Sequence, residues 1–350
     1  MLNSNTILAQ EELKVGSYRG SKVLVTGADG FIGSHLVEHL VGAGAEITAL
    51  AQYNSLDSYG WLDDLPEDTR ARLRLVRGDV RDAGFMRRLV DGQQIVFHLA
   101  ALIAIPHSYM AAESYVDTNV RGTLHVLEAA RACGTERVIH TSTSEVYGTA
   151  ITVPISEEHP LQGQSPYSAS KIGADMMAEA YARSFGLPVC IMRPFNTFGP
   201  RQSERAVIST VIRQLLDPSC PTLRIGDPTT SRDFTFVADT AAAFLALGVA
   251  PCVAFGRPYN AGSGAGMTIA ALIDMLTRIT GISKLVETEP RRMRPPESEV
   301  RTLLADSGRI AEEVGWRPEV RLEEGLATTV TWWRERLAHG KVRQTSQFIS

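Results

Sequence analysis

Thr26-Gly27-Ala28-Asp29-Gly30-Phe31-Ile32-Gly33 stands directly behind a short β-rich run, Lys22-Val23-Leu24-Val25, and leads into helical apolar spacing at Phe31, Ile32, Leu36 and Leu40. Three glycines between a strand and a helix have separate tasks. Gly27 permits a tight turn, Gly30 lets backbone approach a pyrophosphate, and Gly33 lets the helix pack on the strand. Asp29, Phe31 and Ile32 fill the intervening positions, and the unpaired N–H groups at the helix start face the anion. The spacing is G-x-x-G-x-x-G rather than G-x-G-x-x-G, so the triplet alone decides little. Its place after the first strand decides the fold.

Working outward, strand candidates recur at 46–50, 73–76, 95–99, 137–141, 188–192 and 258–261. Helical stretches lie between most of them, notably Thr118 to Cys133 and Tyr167 to Phe185. This alternation predicts an α/β fold, a Rossmann doubly wound parallel sheet covered on both faces. After Arg193 the pattern changes to a loop, then helices over 206–216, 238–248 and 269–280, with an Arg/Pro-rich loop from Glu289 to Pro296. The expected division is a flexible arm over 1–20, a dinucleotide-binding domain over 21–193 with sheet elements returning near 233–262, a substrate lobe mainly over 194–335, and a tail over 336–350.

With 35 basic and 39 acidic residues the net charge is −4, which argues against nucleic acid or an anionic membrane as a general partner. No run approaches membrane-spanning length, residues 1–20 hold no apolar h-region, and the expected address is the cytoplasm. The cysteines Cys133, Cys190, Cys220 and Cys252 form no C-x-x-C pair, so reduced thiols are expected. His35 and His39 could be drawn as a metal pair at i and i+4, but no third ligand is evident and no metal is expected.

An acidic residue that holds the adenosine ribose is usual near the end of the second strand. Here Ala49 to Ser55 contains neither a carboxylate nor an arginine. The acid that favours NAD and the cation that favours NADP are both missing; the reading leans to NAD and leaves NADP open. Tyr53, Asn54 and Ser55 are then the candidate contacts at that edge. Asp79 and Val80, in Gly78-Asp79-Val80, stand where the adenine end would lie, although Asp79 reads equally well as a turn residue.

Tyr167 and Lys171, at i and i+4, share one helix face. An ammonium beside a phenol favours the phenolate, so Tyr167 is expected to be pulled toward neutrality and to serve as a general base. A hydroxyl residue at the preceding strand end, Thr143, completes the set. Two residues further stands a carboxylate, Glu145, which is costly to bury unless it has work to do or is an exposed loop residue.

These pieces resemble the extended short-chain dehydrogenase/reductases that act on nucleotide sugars. The matching strings are TGADGFIG (26–33), GDVRD (78–82), HLAA (98–101), NVRGTLHVLEAAR (119–131), TSTSEVYG (141–148), PYSASK (166–171), RPFNTFGPRQ (193–202) and RDFTFVAD (232–239). They span about residue 21 to about residue 335, in family order. ALIAIPHSY (101–109) and the stretch from Ser144 to Asp175 look closer still to NAD-dependent 4,6-dehydratases of the legionaminic-acid pathway type, which act on a nucleotide-linked N-acetylglucosamine. The Thr-Ser-Glu version of the motif resembles GDP-mannose 4,6-dehydratases more than the Asp-Glu pair of dTDP-glucose enzymes.

The resemblance implies C4 oxidation with Tyr167, Lys171 and Thr143, then loss of water across C5–C6 with Glu145 and Ser144, and hydride return to C6. It implies cofactor contacts from Leu99, Ala100 and Ala101 beside His98 and from Asn119, Tyr167 and Lys171, with a cap or backbone bridge as the other reading of Asn119. It places Asn196 near the substrate pyrophosphate, with Arg201, Arg232 and Arg294 as candidate diphosphate ligands. A homodimer built on the 118–133 and 167–185 helices is expected. The alternatives are a nucleotide-sugar 4-epimerase, a UDP-glucuronate decarboxylase, or, in a different class, a non-catalytic cofactor-binding regulator.

Overall fold

The computed structural model describes residues 18–293 and 295–342. β1 (Lys22–Thr26), β2 (Glu46–Gln52), β3 (Leu73–Gly78), β4 (Ile95–His98), β5 (Arg137–Thr141) and β6 (Val189–Pro194) come first. β7 (Asn196–Phe198), β8 (Thr222–Ile225), β9 (Ser231–Phe236), β10 (Pro258–Ala261), β11 (Gly266–Thr268) and β12 (Leu285–Thr288) follow. Seven of them form one sheet in the order β10-β6-β5-β4-β1-β2-β3, with every pair parallel. The chain runs outward from β1 to β3, then returns to β4 on the other side of β1. The strand order therefore reverses between β1 and β4, and a crevice opens there beyond the carboxyl ends. This is a doubly wound, Rossmann-like sheet.

A strand buried on both faces has to be apolar on both, and β1 shows it. Val23 and Val25 face one side, packing with Leu36, Val37 and Leu40 of α1 (Phe31–Gly42), while Leu24 faces the other. That second face is covered by α2 (Ala83–Val90), α3 (Gly122–Cys133) and α4 (Pro166–Phe185), through Met86, Leu127 and Ala178 among others. α5 (Val207–Leu216), α7 (Ile269–Thr280) and α8 (Leu322–Ala338) build the smaller lobe around its own core with Leu223 and Phe234. α6 (Val237–Val249) lies instead beside α1 and covers the first face with Phe244 and Leu247.

Several elements differ from the sequence expectation. Of the segment 233–262 expected to return to the sheet, only β10 does. β9 pairs with β7 and β11 in a separate three-stranded sheet, and β8 with β12 in a two-stranded one. The helix expected from Thr118 is a wide π-type segment over Val116–Arg121 before α3 begins. Asn119 is drawn inward there: its amide donates to the Leu102 carbonyl (2.9 Å) and accepts the Leu102 N–H (2.8 Å). Residues 1–17 of the expected arm and 343–350 of the expected tail lie outside the described residues. Tyr18 is seated in the core, with its hydroxyl donating to the Leu245 carbonyl at 2.7 Å.

The two lobes meet at an aromatic seam. Trp61, on the β2–β3 connection, packs edge-on against Trp332 of α8 with centroids 5.7 Å apart. The Arg336 guanidinium covers both rings, at 4.8 and 5.1 Å, and pairs with Asp64 at 3.0 Å. The Trp61 backbone N–H also bonds the Asp29 carbonyl in the glycine loop (3.1 Å), so seam and loop are joined directly.

Candidate active site

The glycine loop is shaped by backbone contact. Gly27 takes φ +66°, and a Cβ there would lie 2.8 Å from the Ala100 nitrogen. A Cβ on Gly33 would lie 2.1 Å from the Gly27 carbonyl oxygen, so α1 rests directly on the turn. Gly33→Ala is accordingly expected to cost ~1–3 kcal/mol of stability through overpacking against backbone that has nowhere to go. A thermal melt checks it, together with weakened dinucleotide binding.

The second turn of this floor, Leu99-Ala100, is held by His98. The Thr26 hydroxyl oxygen accepts the N–H groups of Leu99 (3.2 Å) and Ala100 (3.1 Å) and lies 2.8 Å from His98 Nδ1. The Thr123 hydroxyl donates to the Asn119 carbonyl at 2.6 Å, so its oxygen is left to accept from His98 Nε2 (3.1 Å). Nδ1 is then the acceptor, taking the Thr26 proton, and the imidazole is neutral. Burial, then the charges of His140 and Lys171, push His98 well below the usual imidazole range; burial also lowers His140, against the pull of Asp175.

A sign follows for pH. An unfolded chain would protonate both imidazoles near pH ~6.5, whereas the folded one resists. Stability is whole above that value and falls as pH drops, by up to roughly 1.4 kcal/mol per pH unit for each histidine. Urea midpoints should be flat from about pH 8 to 7 and decline between about 6.5 and 5.

At the end of β5 the chain makes a one-turn 3₁₀ helix, Ser144–Tyr147, capped by Thr143, whose hydroxyl accepts the Glu145 N–H at 3.3 Å. Gly148 closes the turn at φ +64°. α4 begins at Pro166, and Ser165 and Ser168 form a reciprocal cap. That start places Tyr167 in the first turn and Lys171 one turn on. Thr143, Ser144, Glu145, Tyr167 and Lys171 all line one cleft of about 740 Å³, together with Gly27, Asp29, Gly30, Phe31, Ile32 and Gly33. Asp79, Val80, Leu99, Ala100, Ala101 and Asn196 line it too. The Asn196 Oδ1 and Gln202 Oε1 atoms are buried on this wall without a protein partner.

The expected pull of Tyr167 toward neutrality does not appear among the protein groups. Burial pushes the phenol up, and the Glu145 charge adds to it; only the hydrogen bond from Thr143 opposes. The physical reason is where Lys171 points: its Nζ donates to the Thr141 carbonyl at 2.6 Å. Burial pushes Lys171 itself down to about 8, with Asp175 holding it up.

Other expected contacts stand elsewhere. Tyr53 is exposed, and Asn54 is spent on its own loop, bonding the Gln52 and Ser58 carbonyls. Neither these nor Ser55 line the cleft; Gln52 does. Asp29 accepts the Gln52 N–H (3.2 Å), and Asp79 is clasped by Arg81, which reaches the cleft. Asn119 sits behind the cleft as a backbone bridge. Arg201 is turned to α1, pairing with Glu38 at 2.6 Å, and Arg232 is buried against Glu299 at 3.1 Å. Arg294 lies outside the described residues. His35 is taken up by the Pro200 carbonyl at 3.0 Å, and no group of metal-ligating residues is found among the described residues. None of their helices is long and apolar enough to cross a membrane.

Sequence reasoning missed Gln202, Ser203 and Ala206, which close the cleft from the lobe, and His107, Ser114 and Thr118 on its other rim. Loop residues of this kind carry no periodicity. It also passed over Asp175, although the Tyr167, Lys171, Asp175 spacing of four and four was visible on one helix face.

Residues 24–329 match the family model described as GDP-mannose 4,6 dehydratase. A dTDP-glucose 4,6-dehydratase of Actinoplanes sp. is 35% identical over 321 residues, covering 89% of this chain and 98% of that protein. A UDP-glucose 4-epimerase of Mycolicibacterium smegmatis is 32% identical over 320 residues, covering 90% and 99%. Among solved structures, the dTDP-glucose 4,6-dehydratase DesIV of Streptomyces venezuelae, with NAD bound, superposes with a TM-score of 0.80 at 33% identity, covering 91% of this chain and 98% of that one.

Proposed function

The chain belongs to the nucleotide-sugar dehydratase/epimerase family of extended short-chain dehydrogenase/reductases, and we propose that within it this enzyme is a 4,6-dehydratase. The carrying observation is the carboxylate of Glu145, set on a capped turn in the same cleft as Tyr167 and near enough for its charge to act on the phenol. The cofactor is NAD, as bound in the Streptomyces relative. The cleft fits it: two backbone turns lie too close at Gly27 and Ala100 to admit a side chain, and helix-start N–H groups border them. When bound, the nicotinamide supplies the acceptor and donor of one hydride.

The chain's own groups do the rest. Tyr167 takes the proton of the C4 hydroxyl as a phenolate, a form that the protein's own groups do not favour and that the positive ring of bound NAD would, and Thr143 hydrogen-bonds the same oxygen. Once C4 carries a carbonyl, C5–H is acidified and Glu145 removes that proton. Glu145 then passes that proton to the C6 hydroxyl, which leaves as water with Ser144 orienting the carboxyl; as C6 receives the hydride back, C5 takes up a proton and Tyr167 gives up the one it took from the C4 hydroxyl, so the net change is loss of one water. Asn196 and Gln202, with their unmet oxygens, receive donors of the substrate or the dinucleotide. Arg294 is kept as a diphosphate ligand; Arg201 and Arg232 are not, being committed to Glu38 and Glu299.

The substrate is a UDP- or GDP-linked hexose of the N-acetylglucosamine type, a reading supported by the strings at 101–109 and 144–175. The assembly is a homodimer through α3 and α4, Met176 and Phe185 of α4 standing exposed. The family also holds 4-epimerases, and the test separates them. Incubation with UDP- and GDP-linked N-acetylglucosamine and glucose, and separately with UDP-glucuronate, followed by mass spectrometry, should show loss of water from a hexose. A C4-inverted sugar of unchanged mass would make the protein an epimerase; loss of carbon dioxide from the glucuronate would make it a decarboxylase.

A further inference from the structure

Asp175 lies one turn beyond Lys171 on α4 and is fully buried. Its Oδ2 accepts the Ser142 hydroxyl at 2.7 Å and the Arg193 Nε and Nη2 of β6 at 3.1 and 3.0 Å. Its Oδ1 faces His140 Nε2 of β5 at 3.2 Å. Arg193 continues to the Tyr147 hydroxyl (2.9 Å), which donates to Asn260 Oδ1 at 2.7 Å. A carboxylate taken wholly out of water is tolerable only when its lone pairs are met and opposite charge is near. Both conditions hold here. Ser142 is the residue before the Thr143 cap, so the same carboxylate grips the root of the turn that carries Ser144 and Glu145.

The charge balance gives this contact a second role. Lys171 and Arg193 are two cations in one interior, and Asp175 is the carboxylate that both face. The other titratable groups of this interior are His98 from β4 and His140 from β5, which the Lys171 charge reaches, Tyr167 on its own helix, Tyr147 beside Arg193, and Tyr115 and Glu145 beside Tyr167. Burial drives both imidazoles toward neutrality and all three phenols up. Glu145 faces Tyr167.

We infer that Asp175 is a positioning residue of this cleft, balancing the charge of Lys171 through space while tying the Ser142–Glu145 turn to β6 through Ser142 and Arg193. The inference rests on the reading of Tyr167 and Lys171 as the working pair.

The chain has five lysines, so selective ¹⁵N labelling gives few side-chain signals, and the one lost in Lys171→Met is Lys171. In the full-length protein its Nζ should titrate near pH 8. In Asp175→Asn the midpoint should fall by about one pH unit or more, the loss of one nearby opposite charge. The basic limb of kcat should move with it, while KM changes less. A purely structural role would lower the melting temperature and leave both profiles in place, and that result overturns the proposal. A Tyr167→Phe protein as active as wild type would overturn the base-pair reading instead, and the ¹⁵N titration would still decide for or against Asp175 as counter-charge. If Asp175→Asn does not fold, the wild-type titration decides: a midpoint below about 6, as for a buried lysine lacking a counter-charge, refutes the proposal, and one near 8 supports it.

Discussion

Tyr167→Phe should lower conversion of the nucleotide sugar by roughly 10²–10⁴-fold, the range set by removing one positioned acid–base group. Only Oη is lost. The ring keeps its edge contact with Tyr115, at a centroid distance of 6.3 Å, and its place in the cluster with Ile105. The phenol is buried and pushed up, so the variant gives up no buried charge, and its melting temperature should stay near wild type. Product formation at saturating substrate and a thermal melt, run together, separate lost chemistry from lost fold. Activity at the wild-type level would show that C4 oxidation does not pass through this residue and would revive the non-catalytic regulator.

Glu145→Gln should divide the reaction. The shape is kept, and the Thr143 cap survives because its partner is the backbone N–H of residue 145. Oxidation at C4 should persist, while loss of water falls by about 10²–10⁴-fold. Quenching with borodeuteride and locating deuterium at C4 detects the trapped ketone; mass spectrometry of the product pool reads the dehydration. A further sign can be checked. The Glu145 charge helps hold the Tyr167 phenol up, so its removal should move the pH dependence of C4 oxidation toward lower pH. Full dehydration by this variant would remove Glu145 from its role.

The parts of this protein that are readable in sequence are those fixed by local spacing. Gly27, Gly30 and Gly33 are dictated by backbone approach, and the i, i+4 relation of Tyr167 and Lys171 by helix geometry, so the order of residues alone is enough to place both. Lys171 illustrates the limit. Spacing puts it on the face of Tyr167, but the direction of its ammonium is set by the Thr141 carbonyl on another strand. Arg201 fails in the same way: an arginine in a phosphate-like motif is claimed by Glu38, 163 residues earlier. Within the small lobe, the strands are three to six residues long, with Pro and Gly in the connections between them, too short for periodicity to separate them from loop. Gln202 and Ser203 reach the cleft only because that lobe folds over it.

The seam of Trp61, Trp332 and Arg336 carries an experimental consequence. Two of the chain's four indoles stand where the lobes touch, and the residue bearing one of them hangs by its backbone N–H from the glycine loop. Ultraviolet emission from the unlabelled enzyme therefore reports on the contact between the lobes. Stopped-flow traces in Trp61→Phe and Trp332→Phe proteins would show which of the two indoles responds to the arrival of a dinucleotide in the glycine loop.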